Sequence, residues 1–243
     1  MFAGHAAIAL AVRHRLPRHS LGWLFAATYL IDLIWPILLL LGVERVAIDP
    51  GNTAFTPLYF VSYPWTHSLL MAIGWGLAFA WLRLRHPGPW REYTWLTALV
   101  VSHWLLDMLT HRPDLPLTPG TSPKLGLGLW NSIPGTLIVE GALFAGGILL
   151  YVRHTKSRDR TGTLALWSLL ALILVIWVSG PFSPPPPSAQ AIGVVGLLSW
   201  LLPLWAGWAD RHRSLTTGAP SAPGPSGAAS GSARLVAGGR LNG

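Results

Sequence analysis

The chain predicts an all-α, polytopic membrane bundle, and three observations predict it. Hydrophobic residues make up 51% of its 243 positions and charged residues only 11%, with 14 Trp and a mean hydropathy of +0.46. That profile lies outside the range of soluble globular domains. Six apolar runs, at 21–42, 65–84, 93–111, 134–152, 163–180 and 190–209, approach the roughly 20 residues that a helix needs to cross a bilayer. The third observation is charge: apart from Arg45, Arg112 and Lys124, every Arg and Lys precedes the first long run, lies in 83–91 or 153–160, or follows the last run.

Each element follows from local chemistry. Residues 2–12, which carry His5, are too short to span and read as an interfacial segment or a short helix tucked against the bundle. They precede RHRLPRH, the reverse of the order in a signal peptide, so they are expected to stay in the mature protein. Run 21–42 contains Pro36, which lacks an amide proton and should kink the helix and free a carbonyl near Asp32. Run 65–84 starts after Pro64 with Thr66 as a candidate N-cap, which places His67 and Ser68 in the first turn. Run 93–111 should end near His111, because Pro113 makes Arg112 a poor helical residue. Asn131 or Ser132 is the expected cap before Pro134, and the four prolines at 184–187 form a stiff turn. Residues 1–212 are thus a transmembrane helical domain. Residues 213–243, mainly Gly, Ala, Ser and Pro, cannot bury a core and are expected to be disordered.

The net charge of +8 sits at span ends rather than on one separate face, which points to orientation in a bilayer and away from nucleic acid. The positive-inside rule puts the C-terminus and the loops 83–91 and 153–160 in the cytoplasm, and the loops 43–64, 112–133 and 181–189 outside. The histidines at 14, 19, 86, 154 and 212 accompany Arg or Lys and read as solvated. The Trp residues read as interface anchors.

Chemistry concentrates in 93–116, where His103, Asp107 and His111 recur every four residues and so share one helical stripe. An ionisable residue inside a span costs about 2.5–3.5 kcal/mol on insertion scales and persists mainly where it pairs, binds an ion or lines a cavity. A His and an acid four residues apart can close on one divalent ion, so His103 and Asp107 make a half-site. The topology brings His5, Asp32, His67 and Glu140 toward the same outer half of the membrane. With no cysteine in the chain, any metal must be held by His, Asp, Glu or backbone oxygen.

The order of Gly4-His5, Asp32, Thr66-His67-Ser68-Leu69-Leu70 and Ser102-His103-Trp104-Leu105-Leu106-Asp107-Met108-Leu109-Thr110 resembles the membrane-bound metal-dependent hydrolase family of bacterial inner-membrane proteins, over about residues 1–130. Some divergent members of that family are labelled permeases. The resemblance implies that His5, Asp32, His67, His103 and Asp107 are metal ligands, with Thr66, Ser68 and Thr110 in support. The family's His-Arg pair ahead of the Thr-His-Ser box is missing, and its Asp-rich segment keeps one carboxylate, so one ion is expected rather than two.

Mixed imidazole and carboxylate ligation favours zinc, with manganese or iron as alternatives. Glu140 or His111 is the expected general base or the partner behind a ligating histidine. The leading functional expectation is an inner-membrane, metal-dependent hydrolase acting on a lipid-linked or phosphate-containing substrate. The alternatives are a transporter or permease, and a noncatalytic membrane scaffold on a degenerate hydrolase fold.

Overall fold

A computed structural model describes residues 1–85 and 89–216. His86 and the tail from 217 onward lie outside the described residues. The helices, in chain order, are α1 (Phe2–Val12), α2 (Leu21–Thr28), α3 (Leu30–Leu40), α4 (Pro64–His67), α5 (Leu69–Leu84), α6 (Trp90–Thr110), α7 (Ile133–His154), α8 (Arg160–Ser179), α9 (Ala189–Gly196) and α10 (Leu201–Arg211). Three small antiparallel ladders sit between them. Strands β1 (Arg45–Ile48) and β2 (Leu58–Ser62) pair Val46 with Phe60, β3 (Leu115–Pro116) and β4 (Lys124–Leu125) pair Leu115 with Leu125, and β5 (Thr155–Ser157) and β6 (Arg213–Leu215) pair Thr155 with Leu215.

The fold is helical and of membrane type, but the expected six spans are not there. Among the described residues three helical stretches are long and apolar enough to cross a membrane: Ile133–His154, Arg160–Phe182 and Ala189–Arg211. A fourth exists if α2 and α3, bent by 54°, count as one. Helix α5 has 16 residues and reaches only about 24 Å, short of a hydrocarbon core of about 30 Å. Helix α6 is long enough, but Arg91, Glu92, His103 and Asp107 dilute its hydropathy. Its inward face, from Leu96 through Thr110, is buried in protein. Helix α1 is enclosed in the same way, with Ala3 to Ala7, Ala9 and Leu10 all buried. Two short or polar central helices are therefore wrapped by the apolar ones.

Of the expected breaks and caps, the Pro36 kink and the Thr66 cap differ, while the Ser132 cap and the end of α6 near His111 hold. The bend of the first long run falls at Tyr29, between α2 and α3, while Pro36 lies inside α3. Ser68 caps α5 by accepting from the Met71 amide, and Thr66 belongs to the separate single turn α4. Ser132 caps α7 through the Gly135 amide. Helix α6 stops at Thr110 with His111 in extended conformation, and the following loop folds back over its end. The Leu127 and Gly128 amides donate to the carbonyls of Met108 and His111 at 2.8 and 2.7 Å, which satisfies a helix terminus that would otherwise be buried unpaired. Gly126 allows that approach, since a Cβ there would lie 2.1 Å from the Arg112 carbonyl oxygen.

The two ends of the bundle differ in character. At one end Arg13 clasps the buried Asp210, with Nε and Nη2 at about 3.0 Å from its oxygens. Tyr151 and the Leu21 amide donate to the same carboxylate, and Arg213 donates to Thr155. His14 stacks on His154 there, and Arg18 pairs with Glu92. His19, expected to be solvated, is buried at this end. The opposite end holds the β1–β2 and β3–β4 ladders and the polar residues of the first three long runs. This partition is the one that the charge pattern predicts.

Helix α1 meets α7 through Gly147, where an added Cβ would lie 2.5 Å from the Ala7 carbonyl oxygen and 2.7 Å from its Cα. Backbone cannot yield as a flexible side chain does, so Gly147→Ala should cost about 1–3 kcal/mol by overpacking. Thermal unfolding in detergent should show that loss. The neighbouring Gly146→Ala, whose Cβ meets nothing within 4 Å, should leave the midpoint unchanged or raise it.

Candidate metal centre

Five side chains from four helices converge, and three of them, Asp32, His67 and Asp107, line one cavity. His5 arrives from α1, Asp32 from α3, His67 from α4, and His103 with Asp107 from α6. His5, His103 and Asp107 offer ligand atoms all within 4.8 Å of one another, as do Asp32, His67 and His103, so His103 joins the two sets. His103 Nε2 lies 3.1 Å from Asp107 Oδ2 and 3.6 Å from Asp32 Oδ1. His67 Nε2 lies 3.5 Å from Asp32 Oδ1 and 3.8 Å from Asp107 Oδ2, and His5 Nε2 is 3.2 Å from Asp107 Oδ1. His5 and His103 stack with centroids 3.7 Å apart.

The far side of two imidazoles fixes their protonation. His103 Nδ1 is 2.8 Å from the Thr28 carbonyl, which can only accept, so Nδ1 carries a proton and Nε2 is the ring nitrogen turned toward the acids. The break between α2 and α3 leaves that carbonyl beside His103. The Thr66 hydroxyl donates its single proton to Glu44 Oε2 at 2.7 Å. Its other contact, with His67 Nδ1 at 2.7 Å, must then be received from the imidazole. His67 Nε2 is likewise the nitrogen turned toward the acids.

Glu44 went unrecognised in the sequence because it looks like an ordinary loop carboxylate. It is fully buried, and its Oε1 accepts from the Trp65 and Thr66 amides at 2.9 Å, tying down the turn that carries His67. A carboxylate placed four residues after an apolar helix and ahead of a Pro-Trp-Thr-His turn was the available signal.

The expected bases occupy different places. His111 lines the cavity together with Asp32, His67 and Asp107, packed against Trp130 and Phe60. Its Nδ1 is 3.0 Å from Asp114 Oδ1, and the Tyr63 hydroxyl donates to that same oxygen at 2.7 Å. Neither Asp114 nor Tyr63 was anticipated, since the pairing depends on the turn at Pro113. Glu140 does not face the cavity. Its Oε1 accepts from the Gly4 amide and its Oε2 from Trp177 Nε1, both at 3.0 Å, so it fastens α1 to α7 and α8. The expectation of Glu140 as a base, or as the carboxylate behind a ligating histidine, is corrected accordingly.

The donor set suits a cation. Ligands at tetrahedral corners about 2.0–2.2 Å from one zinc stand roughly 3.3–3.6 Å apart, and the spacings above run from 3.1 to 3.8 Å. The Nε2 atoms of His5 and His103 are buried without a hydrogen-bond partner. Asp107 draws in a positive charge, the Met1 amine, as an ion pair. The carboxylates of Asp32 and Asp107 need positive charge beside them, which a bound cation or protonated imidazoles can supply.

The cavity has a volume of about 360 Å³, with aromatic walls from Trp35, Phe55, Phe60, Trp130 and Trp177 and a rim at Ile176 and Gly180 near the end of α8. The support behind His67 is directly testable. Glu44→Ala leaves two amides and a hydroxyl without their acceptor and should lower stability by about 1–3 kcal/mol, whereas Glu44→Gln, which keeps an acceptor, should recover much of it. Thermal unfolding of the detergent-purified variants measures both.

No curated protein and no solved structure matches the chain. The model of the YdjM inner membrane protein family matches residues 48–182, a stretch that includes His67, His103, Asp107 and His111 but begins after His5 and Asp32. That match covers more than half of the chain and agrees with its apolar helices: the protein is an integral membrane protein belonging to the YdjM inner membrane protein family of bacteria.

Proposed function

We propose that the protein is a metal-dependent hydrolase of the inner membrane, holding one divalent ion among His5, Asp32, His67, His103 and Asp107. The observation that carries this reading is the convergence of five donors from four helices, four of them buried, as two groups of three that share His103. The mixed imidazole and carboxylate set favours zinc over manganese or iron. When bound, such an ion supplies Lewis acidity, polarising a phosphoryl or carbonyl oxygen and shifting the acidity of water toward pH ~7.

The chain's own groups do the rest. Thr28 and Thr66 hold the protons of His103 and His67 on Nδ1, so that both Nε2 atoms stay free as ligands. His111 moves a proton at the cavity wall, because Asp114 orients its ring and Tyr63 fixes Asp114. Of the five ligands, Asp32 is the most exposed, with a third of its side chain accessible, and it marks the side from which substrate enters. The aromatic walls suit the apolar part of a lipid-linked substrate, and the polar floor suits its phosphate or ester group.

Metal analysis of detergent-purified protein should find about one ion per chain, with His103→Ala and Asp107→Ala both losing it. Unchanged metal content in those variants would overturn the reading. His111→Gln should retain the metal yet slow hydrolysis of a chromogenic phosphodiester or carboxylic ester in mixed micelles by about 10²–10⁴-fold.

A further inference from the structure

The basic end of the bundle carries a second, separate cavity. Its volume is about 170 Å³, and Arg15, Arg18, His19, Arg91, Glu92 and Trp95 line it. Three elements build it: the short 3-10 turn Arg13–Arg15 that ends α1, the loop leading into α2, and the first turns of α6. The backbone amide of His19 closes the loop by donating to the Leu16 carbonyl at 3.0 Å. That turn buries the imidazole on the floor of the cavity.

Charge in this cavity is out of balance. Glu92 is its one acid, and both carboxylate oxygens are taken: Arg18 Nη1 lies 2.9 Å from Oε1, and His19 Nε2 lies 3.4 Å from Oε2. Arg15 and Arg91 have no acidic partner among the described residues, and both are exposed. His19 is 1% exposed, and its Nδ1 makes no hydrogen bond. Burial and the nearby Arg83 hold this imidazole below its ordinary range. The half-buried Trp95 adds an aromatic wall, and Trp90 stands exposed beside it. Arg pairs joined to an aromatic rim at the end of a bundle match the depth at which phospholipid headgroups lie.

We infer that this cavity is a binding site for a phosphate group, held between Arg15 and Arg91 over His19 and supplied by the headgroup of an anionic phospholipid or by free phosphate. Guanidinium groups grip phosphate oxygens in paired, charge-assisted hydrogen bonds. A volume of 170 Å³ admits a phosphate with a short glycerol stub and leaves acyl chains outside. Glu92 opposes the anion and limits affinity, so the site is tuned for exchange rather than permanent capture. The site is remote from the metal ligands and does not rest on the hydrolase reading.

Native mass spectrometry of the full chain in neutral detergent tests it, with dioctanoyl phosphatidylglycerol, dioctanoyl phosphatidylcholine and inorganic phosphate as probes. Phosphatidylglycerol should bind in preference to phosphatidylcholine, and the double variant Arg15→Gln/Arg91→Gln should weaken it by about tenfold or more. Arg91→Lys, which keeps the charge, should weaken it less. Glu92→Gln should tighten binding several-fold, a change that mere structural damage would not produce. Displacement of phosphatidylglycerol by inorganic phosphate identifies the free anion as a second source, and its failure assigns the site to the lipid headgroup. Equal binding of the two lipids, or a double variant that folds and binds like the wild type, would overturn the inference.

Discussion

The architecture is governed by the burial of two carboxylates, Asp32 and Asp107, opposite three imidazoles inside an apolar bundle. Removing a carboxylate from water is costly unless opposite charge and hydrogen bonds replace what water supplied. Here the replacement comes from His5, His67 and His103 on one side and from backbone and hydroxyl groups behind two of those rings. The cluster draws on four helices that no local sequence rule would bring together, so the helix packing must serve it. Helix α1 is the clearest case. It is too short and too alanine-rich to anchor itself by side-chain volume, yet it lies fully enclosed and delivers His5 to Asp107.

Two devices hold α1 in place, and both are polar or steric rather than hydrophobic in origin. Gly147 removes a side chain where α7 crosses Ala7, letting the backbones touch, much as small residues do at membrane helix contacts. Glu140 then fastens the first turn by accepting the Gly4 amide, an otherwise unpaired donor at a helix start, while its other oxygen binds Trp177. An acid that reads in the sequence as a catalytic candidate is thereby fully occupied in positioning the helix that bears His5. Buried carboxylates in a membrane bundle divide into those that present free oxygens to a shared point and those whose oxygens are consumed by N–H groups.

This division explains what could be read from the sequence. The interval of four between His103 and Asp107 fixes their common face before any tertiary structure is considered, and the alternation of basic loops sorts the helix ends correctly. What escaped was whatever depends on the path of a loop. Glu44 reaches Thr66 because the chain turns back after α3, and Asp114 reaches His111 because the chain turns at Pro113, two residues after the imidazole. The bend of the first apolar run illustrates the same limit. Pro36 is the obvious breaker by local chemistry, but α3 continues through it, and the break falls at Tyr29, where the Thr28 carbonyl meets His103. The span count failed for a related reason, since hydropathy alone does not distinguish a helix bathed in lipid from one enclosed by other helices.

The choice between His111 and Glu140 as the proton-transfer group turns on geometry rather than on residue type. A base beside a metal needs a free atom facing the reacting group and a partner that fixes its tautomer. His111 meets both conditions: Asp114 engages Nδ1, and the ring lines the cavity alongside Asp32, His67 and Asp107. Trp130 and Phe60 flank the ring and restrict its rotation, which lowers the entropy lost on reaching a reactive orientation. The Tyr63 hydroxyl, by donating to Asp114, removes the alternative in which the carboxylate swings away from the imidazole. Because Tyr63 also packs against His67, the ring that would move the proton and a ring that would hold the ion share one rigid support. In the proposed reading, ligation and proton transfer would thus share the support of one residue, Tyr63.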